Sequence, residues 1–232
     1  MYGFRRLSTA AAAILSLTFA AGAYGETTDL RYAGNNRVLA THVAINGVDN
    51  YIYIGSYQIQ QQGQPGSFAA YCVDPFQDVN SSYVAYERSP LVAAHLPPDQ
   101  TARFAAVSRL FGNAYAESLA DGTRAAGFQL ALWEVWQDDG MLTTGSIRSL
   151  GSSDAGMVAE TNRLLANMPG WSAGTAYDLT YYFNAAYQDY ASALVLEVPE
   201  PGTYALLLAG LGLLGLARRR QRDGRHAKVT TS

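Results

Sequence analysis

Cysteine, lysine and histidine are scarce in this sequence, and each shortage excludes a kind of site. The single cysteine, Cys72, excludes an internal disulfide bond. Residues 26–198 contain two histidines, His42 and His95, too few for a zinc site built from three histidines. The same stretch contains no lysine. The sequence has neither a glycine-rich phosphate-binding loop with its lysine nor a dinucleotide-binding glycine fingerprint, so it lacks the usual nucleotide-binding motifs.

Charge is also sparse and unevenly distributed. Charged residues make up 15% of the 232 residues and apolar residues 49%, which argues against a disordered chain. The whole chain has a formal net charge of −3, but residues 26–198 carry 8 arginines against 17 carboxylates, a net charge of −9. Because phosphate neutralisation needs a cationic surface, this acidic stretch argues against nucleic acid as a partner.

The first 25 residues have the pattern of a secretory signal peptide. Arg5 and Arg6 form a basic start, residues 8–23 form a small apolar run, and small residues at 21–25 offer a cleavage site to signal peptidase. We therefore expect residues 26–198 to be exported and to fold outside the cytoplasm.

The opposite end contains a short apolar segment followed by a basic cluster. Residues 203–217 carry no charge; as a helix they would span about 22 Å, against roughly 30 Å for the hydrocarbon core. Flanking arginines can extend this span by snorkelling. These arginines are Arg218, Arg219 and Arg220. We therefore predict a transmembrane helix at about 203–217. The positive-inside rule then places the basic tail, 218–232, in the cytoplasm and residues 26–198, the body of the protein, outside.

A proline motif precedes the apolar segment. Pro199-Glu200-Pro201, the apolar segment and the arginine cluster follow one another in the order of the PEP-CTERM sorting signal of Gram-negative bacteria, which residues 198–222 resemble. The resemblance implies export through the inner membrane, membrane anchoring by the C-terminal helix, and recognition by an exosortase that cuts near the motif. The body then belongs at the cell surface or outside the cell, and members of this family tend to accompany exopolysaccharide and biofilm systems.

The body, residues 26–198, alternates between strand and helix patterns. Strands are predicted at 38–45, 51–59, 67–73, 177–183 and 192–198, with Asn46-Gly47 and Asp49-Asn50 as turns and a loop at 145–153. Helices are predicted after the N-cap residues Asp99, Asp121 and Asp154, the second ending at Asp138-Asp139. The sequence therefore predicts an α+β fold in which a strand-rich sandwich or barrel is packed with a helical insert.

The body contains few of the residue combinations that usually form catalytic or metal-binding sites. A nucleophilic Cys–His pair would need His42 or His95 beside Cys72, and neither lies in a recognisable cysteine-protease context. Five aspartates match no calcium-binding loop with its invariant glycine and are expected to be solvated loop carboxylates. They are Asp74, Asp78, Asp121, Asp138 and Asp139. We expect a protein that is not an enzyme and holds no metal or cofactor.

The unusual residues are Cys72 and Gln129. Cys72 ends an apolar strand in Tyr71-Cys72-Val73, and Gln129 lies among large apolar residues in Phe128-Gln129-Leu130-Ala131-Leu132. These segments resemble the two motifs of the thioester domains of Gram-positive surface adhesins, an aromatic-Cys-hydrophobic strand and a hydrophobic-Gln-x-x-hydrophobic segment. In that family the cysteine sulfur attacks the glutamine side-chain carbonyl, ammonia leaves, and an internal thioester remains.

This resemblance implies an adhesion module that bonds covalently to an amine or hydroxyl of a surface partner, with Cys72 and Gln129 as the cross-linked pair. Two alternatives remain open. Cys72 can be a buried small hydrophobe without chemistry, and the body can be a structural surface protein that contacts extracellular polysaccharide through its tyrosines. Export favours a thiol that is hidden or used, because a free thiol is a liability in an oxidising compartment.

Overall fold

The computed structural model describes residues 26–174 and 177–195. The predicted signal peptide, the motif at 199–201, the transmembrane segment at 203–217 and the basic tail lie outside the described residues. Within the described ranges, every helix is too short or too polar to cross a membrane.

The strands of the described residues form one antiparallel sheet. Its strands are β1 (Glu26–Ile45), β2 (Val48–Gln61), β3 (Phe68–Cys72), β4 (Val84–Pro90), β5 (Ile147–Arg148), β6 (Tyr177–Phe183) and β7 (Tyr190–Val195). The order is β2-β3-β7-β6-β4-β1-β5, and β1 pairs with β2 as well as with β4. Six strands therefore close into a ring, with β5 added to the end of β1. The prediction of a strand-rich α+β fold is confirmed. Of the two predicted forms of the strand-rich part, a sandwich or a barrel, the closed ring corresponds to the barrel.

A tight turn joins the two longest strands. Asn46 and Gly47 both have positive φ, 50° and 78°, as a two-residue type I′ hairpin turn requires. The prediction of a second turn at Asp49-Asn50 is wrong, because both residues already pair with β1, opposite Ala44 and Val43. The two-residue turn closes the hairpin at once, so the residues after it enter the ladder in register.

Three helices follow β4: α1 (Gln100–Ser118), α2 (Gly122–Gln137) and α3 (Ala155–Asn167), with short 3₁₀ turns at Ala93–His95 and Met168–Gly170. Asp121 and Asp154 cap α2 and α3 as predicted, accepting hydrogen bonds from the N–H groups of Arg124 and Met157 at 2.9 and 2.8 Å. The prediction of an Asp99 side-chain cap is wrong: Asp99 has φ 68° and its side chain makes no capping bond to α1.

The Asp121 cap allows a direct test of how firmly α2 begins. Asp121→Ala is expected to lower the free energy of unfolding by about 1 kcal/mol, because the Arg124 N–H in the first turn of α2 loses its hydrogen-bond acceptor. Asp121→Asn retains an acceptor oxygen and is expected to stay close to wild type. Urea unfolding of both variants measures the difference; equal losses would show that the carboxylate charge, and not the cap, stabilises the helix.

Helix α2 lies between two hydrophobic clusters. Ala126, Leu130 and Trp133 pack with side chains of the strand ring, whereas Phe128, Leu132 and Trp136 pack with α1 and the C-terminal strands. Gly127 permits a close crossing with α3, since a Cβ there would lie 2.5 Å from the Glu160 Cγ atom. Eleven of the sixteen α2 residues are buried, including Gln129 and Glu134.

Candidate functional site

The structure brings Cys72 and Gln129 together. The β2–β3 ladder ends at the Ser56–Tyr71 pair, and Cys72 is the next and last residue of β3. On the side where the β2 ladder has ended, its backbone N–H donates to Gln129 Oε1 at 2.9 Å, and Gln129 Nε2 donates to its backbone carbonyl at 2.6 Å. The side-chain amide of Gln129 thus continues the ladder from α2, and Cys72 and Gln129 touch across 57 residues of sequence.

The motif neighbours of these two residues fix their relative position. The Tyr71 and Phe128 rings lie 4.5 Å apart between centroids, and both pack with Phe111 and Tyr115 of α1. The Tyr71 hydroxyl donates to Ser118 Oγ at 2.7 Å. Because successive strand residues face opposite sides, Tyr71 anchors β3 to the helices while Cys72 faces the other cluster.

The surroundings of the thiol are dry and mostly uncharged. Cys72 and Gln129 are both 0% exposed. Burial raises the pKa of the Cys72 thiol well above its usual range, opposed in part by hydrogen bonds from the Trp133 indole and the Asp74 backbone. Sγ also donates to the Asp74 carbonyl at 3.1 Å. Tyr57 and Tyr190 lie in the same cluster, and burial raises the pKa of each phenol. The site therefore holds a protonated thiol beside a carboxamide.

Neither predicted candidate base contacts this thiol. His42 Nδ1 lies 2.8 Å from Asp49 Oδ1 on the β1–β2 hairpin. His95 Nε2 lies 3.5 Å from Ser89 Oγ, and its ring packs against Tyr181. Within the described residues, therefore, the structure provides no Cys–His pair.

The predicted loop aspartates act mainly as local caps and turn acceptors. Asp74 accepts from the Phe76 N–H, Asp138 from the Ile147 N–H, and Asp139 from the Met141 N–H and the Thr144 hydroxyl. Asp74, Asp138 and Asp139 thus make local hydrogen bonds in addition to being solvated, whereas Asp78 is exposed.

One buried acidic group was not predicted from the sequence. Glu134 on α2 is 0% exposed, and its carboxylate lies within 4.8 Å of those of Asp138 and Asp139. Burial first, then these two neighbours, raise its pKa to about 8. This shift favours the protonated form of the Glu134 carboxyl, which relieves the repulsion among the three groups. The sequence feature that could have indicated a buried carboxyl is the position of Glu134 between Trp133 and Val135 in an apolar helix.

The sequence carries a recognised sorting motif. A family model described as the PEP-CTERM protein-sorting motif matches residues 197–221, which confirms the resemblance predicted for residues 198–222. This motif implies processing by an exosortase and marks a surface or extracellular protein.

The structure is similar to solved thioester domains of surface adhesins. One is the N-terminal thioester domain of a surface protein from Clostridium perfringens, with a TM-score of 0.46 and 14% identity over 73% of this chain and 100% of that chain. Another is the N-terminal domain of the Streptococcus pyogenes pilus tip adhesin Cpa, with a TM-score of 0.44 and 11% identity over 75% of this chain and 100% of that chain. A search of curated proteins gave no match.

Proposed function

We propose that this chain is an exosortase-processed surface protein whose exported body forms an internal thioester between Cys72 and Gln129 and uses it for covalent adhesion. The observation that supports this most directly is the double hydrogen bond between the Gln129 amide and the Cys72 backbone in a fully buried site. A carboxamide held against a cysteine backbone in this way has its carbonyl carbon beside the residue that supplies the sulfur.

The hydrogen bonds suit the proposed exchange. As Sγ bonds to the Gln129 carbonyl carbon, negative charge develops on Oε1, where the Cys72 N–H already donates. The thiol proton passes to the departing nitrogen, the carbon–nitrogen bond breaks, and ammonia leaves. The C–S bond that forms replaces the C–N bond, so atoms and electrons balance without a cofactor.

Burial supports both formation and survival of the product. Amide-to-thioester exchange is uphill in water, so the fold must hold the reacting groups at near-attack distance and exclude water. The site is fully buried and lies on a strand and a helix rather than on loops. The resulting thioester is an electrophile that an amine or hydroxyl of a partner opens, with return of the proton to sulfur.

The first test is the intact mass of the purified exported protein. We expect a mass lower than that of the unmodified chain by one ammonia, because the exchange expels the Gln129 nitrogen. Cys72→Ala and Gln129→Ala are each expected to restore the unmodified mass. Gln137→Ala, on the same helix, is the matched control and should keep the loss.

An unmodified mass with a Cys72 that alkylates only on denaturation would contradict the thioester. That result would leave Cys72 as a buried hydrophobe and the body as a structural surface protein. Loss of ammonia in the Cys72→Ala variant would assign the loss to cyclisation of another side-chain amide, such as succinimide formation at an asparagine.

The two ends of the chain complete the proposal. Residues 1–25 would direct export and be removed by signal peptidase, and residues 199–232 would anchor the body through the helix at 203–217 until an exosortase cuts near Pro199-Glu200-Pro201. The matched sorting motif supports this order of events. Replacing the motif by alanines is expected to leave the body on the membrane, as fractionation of cells would measure.

A further inference from the structure

Three carboxyl groups converge where α2 ends. They belong to Glu134 in the last turn of the helix and to Asp138 and Asp139 directly after it, and one oxygen of each lies within 4.8 Å of the other two. The last backbone carbonyls of a helix carry a partial negative charge, so acidic side chains are unfavourable there and a cation is favourable. The cluster therefore requires a positive charge to balance it.

Glu134 is the buried member of the cluster, and its carboxyl is short of hydrogen-bond partners. The residue is 0% exposed, and neither carboxyl oxygen has a hydrogen bond of normal geometry among the described residues. The backbone N–H groups of Gly140 and Met141 lower its pKa, but by less than burial and the two aspartates raise it. The Met141 N–H donates to Asp139 Oδ1 at 2.9 Å. Because buried carboxylates in proteins are paired or bind a metal, the Glu134 oxygens point to a ligand within the cluster.

The side-chain cations of residues 26–174 and 177–195 do not supply the balancing charge. Their salt bridges all involve other carboxylates. Arg103 reaches this end of α2 from α1, but its Nη1 donates to the backbone carbonyls of Val135 and Asp138, at 3.3 and 3.0 Å. The balancing charge is therefore a proton or a bound cation, and one proton neutralises only one of the three carboxyls.

We propose that Glu134, Asp138 and Asp139 bind a calcium ion at the C-terminal end of α2. This inference does not depend on the thioester. Carboxylate oxygens are ligands for hard cations, and both Glu134 oxygens are free, as a bidentate calcium ligand requires. Ligand oxygens about 2.3–2.6 Å from one calcium ion lie up to about 5 Å apart, so three oxygens within 4.8 Å of one another fit around it. Asp139 is exposed, which gives water access to the remaining coordination positions.

A bound ion would connect the end of α2 to the segment that leads into β5. Asp138 already accepts from the N–H of Ile147, the first residue of β5, and Asp139 accepts from the Thr144 hydroxyl at 2.6 Å. An ion shared by these aspartates and Glu134 would hold the helix end and the following turn together. Since the unfolded chain does not preserve this arrangement, calcium is expected to stabilise the folded protein.

The proposal is tested by calorimetric titration of the purified exported protein, freed of metal with a chelator, with calcium chloride. We expect one site with a dissociation constant of about 10⁻⁴–10⁻³ M, the range of extracellular calcium-binding modules. Asp139→Asn and Glu134→Gln should each weaken binding roughly tenfold or more, because each removes one charged ligand. Both variants keep the shape of the side chain, and circular dichroism verifies their fold. Asp29→Asn, an exposed aspartate on β1, is the matched control and should bind as wild type does.

Terbium luminescence locates the ion. Terbium(III) takes oxygen ligands as calcium does, and a nearby tryptophan excites its emission. Trp133 and Trp136 flank Glu134 on α2, so we expect emission on tryptophan excitation that calcium displaces and that Asp139→Asn reduces.

Two results would overturn the calcium site. One is the absence of calcium binding, with an unfolding midpoint that calcium at about 10 mM, above the expected dissociation constant, leaves unchanged. The other is binding that both Asp139→Asn and Glu134→Gln leave unaltered, which would place the ion elsewhere. Tighter binding of magnesium than of calcium would overturn the identity of the ion.

Discussion

Gln129→Ala, introduced into a Cys72→Ala background, is expected to lower the free energy of unfolding by about 2–6 kcal/mol. The background removes the sulfur, so no thioester contributes to either protein. The backbone N–H and C=O of residue 72 then lose the two buried partners that Gln129 supplies. Each unpaired buried group costs about 1–3 kcal/mol. Urea unfolding of the single and double variants measures the difference.

Gln129→Glu in the same background distinguishes hydrogen bonding from simple packing. A protonated carboxyl can accept from the residue 72 N–H and donate to its carbonyl, as the amide does. Burial and that donated bond both favour the neutral form, so the folded protein holds this proton more tightly than the unfolded chain. The stability of this variant is therefore close to its parent in acid and falls as pH rises above the unfolded pKa of the carboxyl. Equal losses for alanine and glutamate at every pH would show that the amide does not hold β3 to α2.

If the thioester forms in the wild-type protein, it adds a second contribution. A covalent link between residues 72 and 129 constrains the unfolded chain, by about 3–5 kcal/mol on the disulfide analogy. The stability lost on Cys72→Ala alone would then exceed the loss expected for removing a small buried side chain. If the wild-type protein does not form the thioester, Cys72→Ala would lower the free energy of unfolding only by the packing contribution of the cysteine side chain.

Parts of the fold with strong local signals were predictable. Helices α2 and α3 combine apolar periodicity with an N-cap aspartate, and both begin where the sequence places them. Strands β4 and β5 were missed because their sequences lack alternation; they are strands through backbone pairing with β1 and, for β4, with β6. Strand β7 begins two residues earlier than predicted, at Tyr190, which pairs with Cys72.

The site was predictable only where short motifs marked it. Cys72 and Gln129 stand out by residue type against their apolar neighbours, and the structure brings them into contact. Their meeting depends on long-range packing of Tyr71 against Phe128, which no local pattern encodes. The position of Trp133 beside the Cys72 thiol was not predictable either, since it also depends on the long-range packing of α2 against the strands. In sequence, Trp133 is simply one of the apolar residues of an amphipathic helix.

Stability is expected to fall as pH rises from about 4.5 to about 8, because of Glu134. Burial first, and then Asp138 and Asp139, raise the pKa of this carboxyl in the folded protein from its ordinary value of 4.5 to about 8. The folded state holds the proton over this range and the unfolded state does not, so unfolding releases a proton and is favoured by rising pH. Each pKa unit corresponds to about 1.4 kcal/mol, and the loss is about 3–5 kcal/mol.

Glu134→Gln is expected to remove most of this pH dependence, because a carboxamide of the same shape stays neutral and can donate to Asp138 or Asp139. Urea unfolding across the window, in buffer with a chelator so that no cation competes with the proton, should give curves for variant and wild type that diverge with pH. The variant becomes the more stable protein as pH rises above about 4.5, and the difference levels off above about pH 8. Glu87→Gln, on the exposed side of β4, controls for the loss of one negative charge. Parallel curves for the Glu134 variant and wild type would mean that Glu134 is ionised in the folded protein, and that its charge is balanced within the α2–β5 turn.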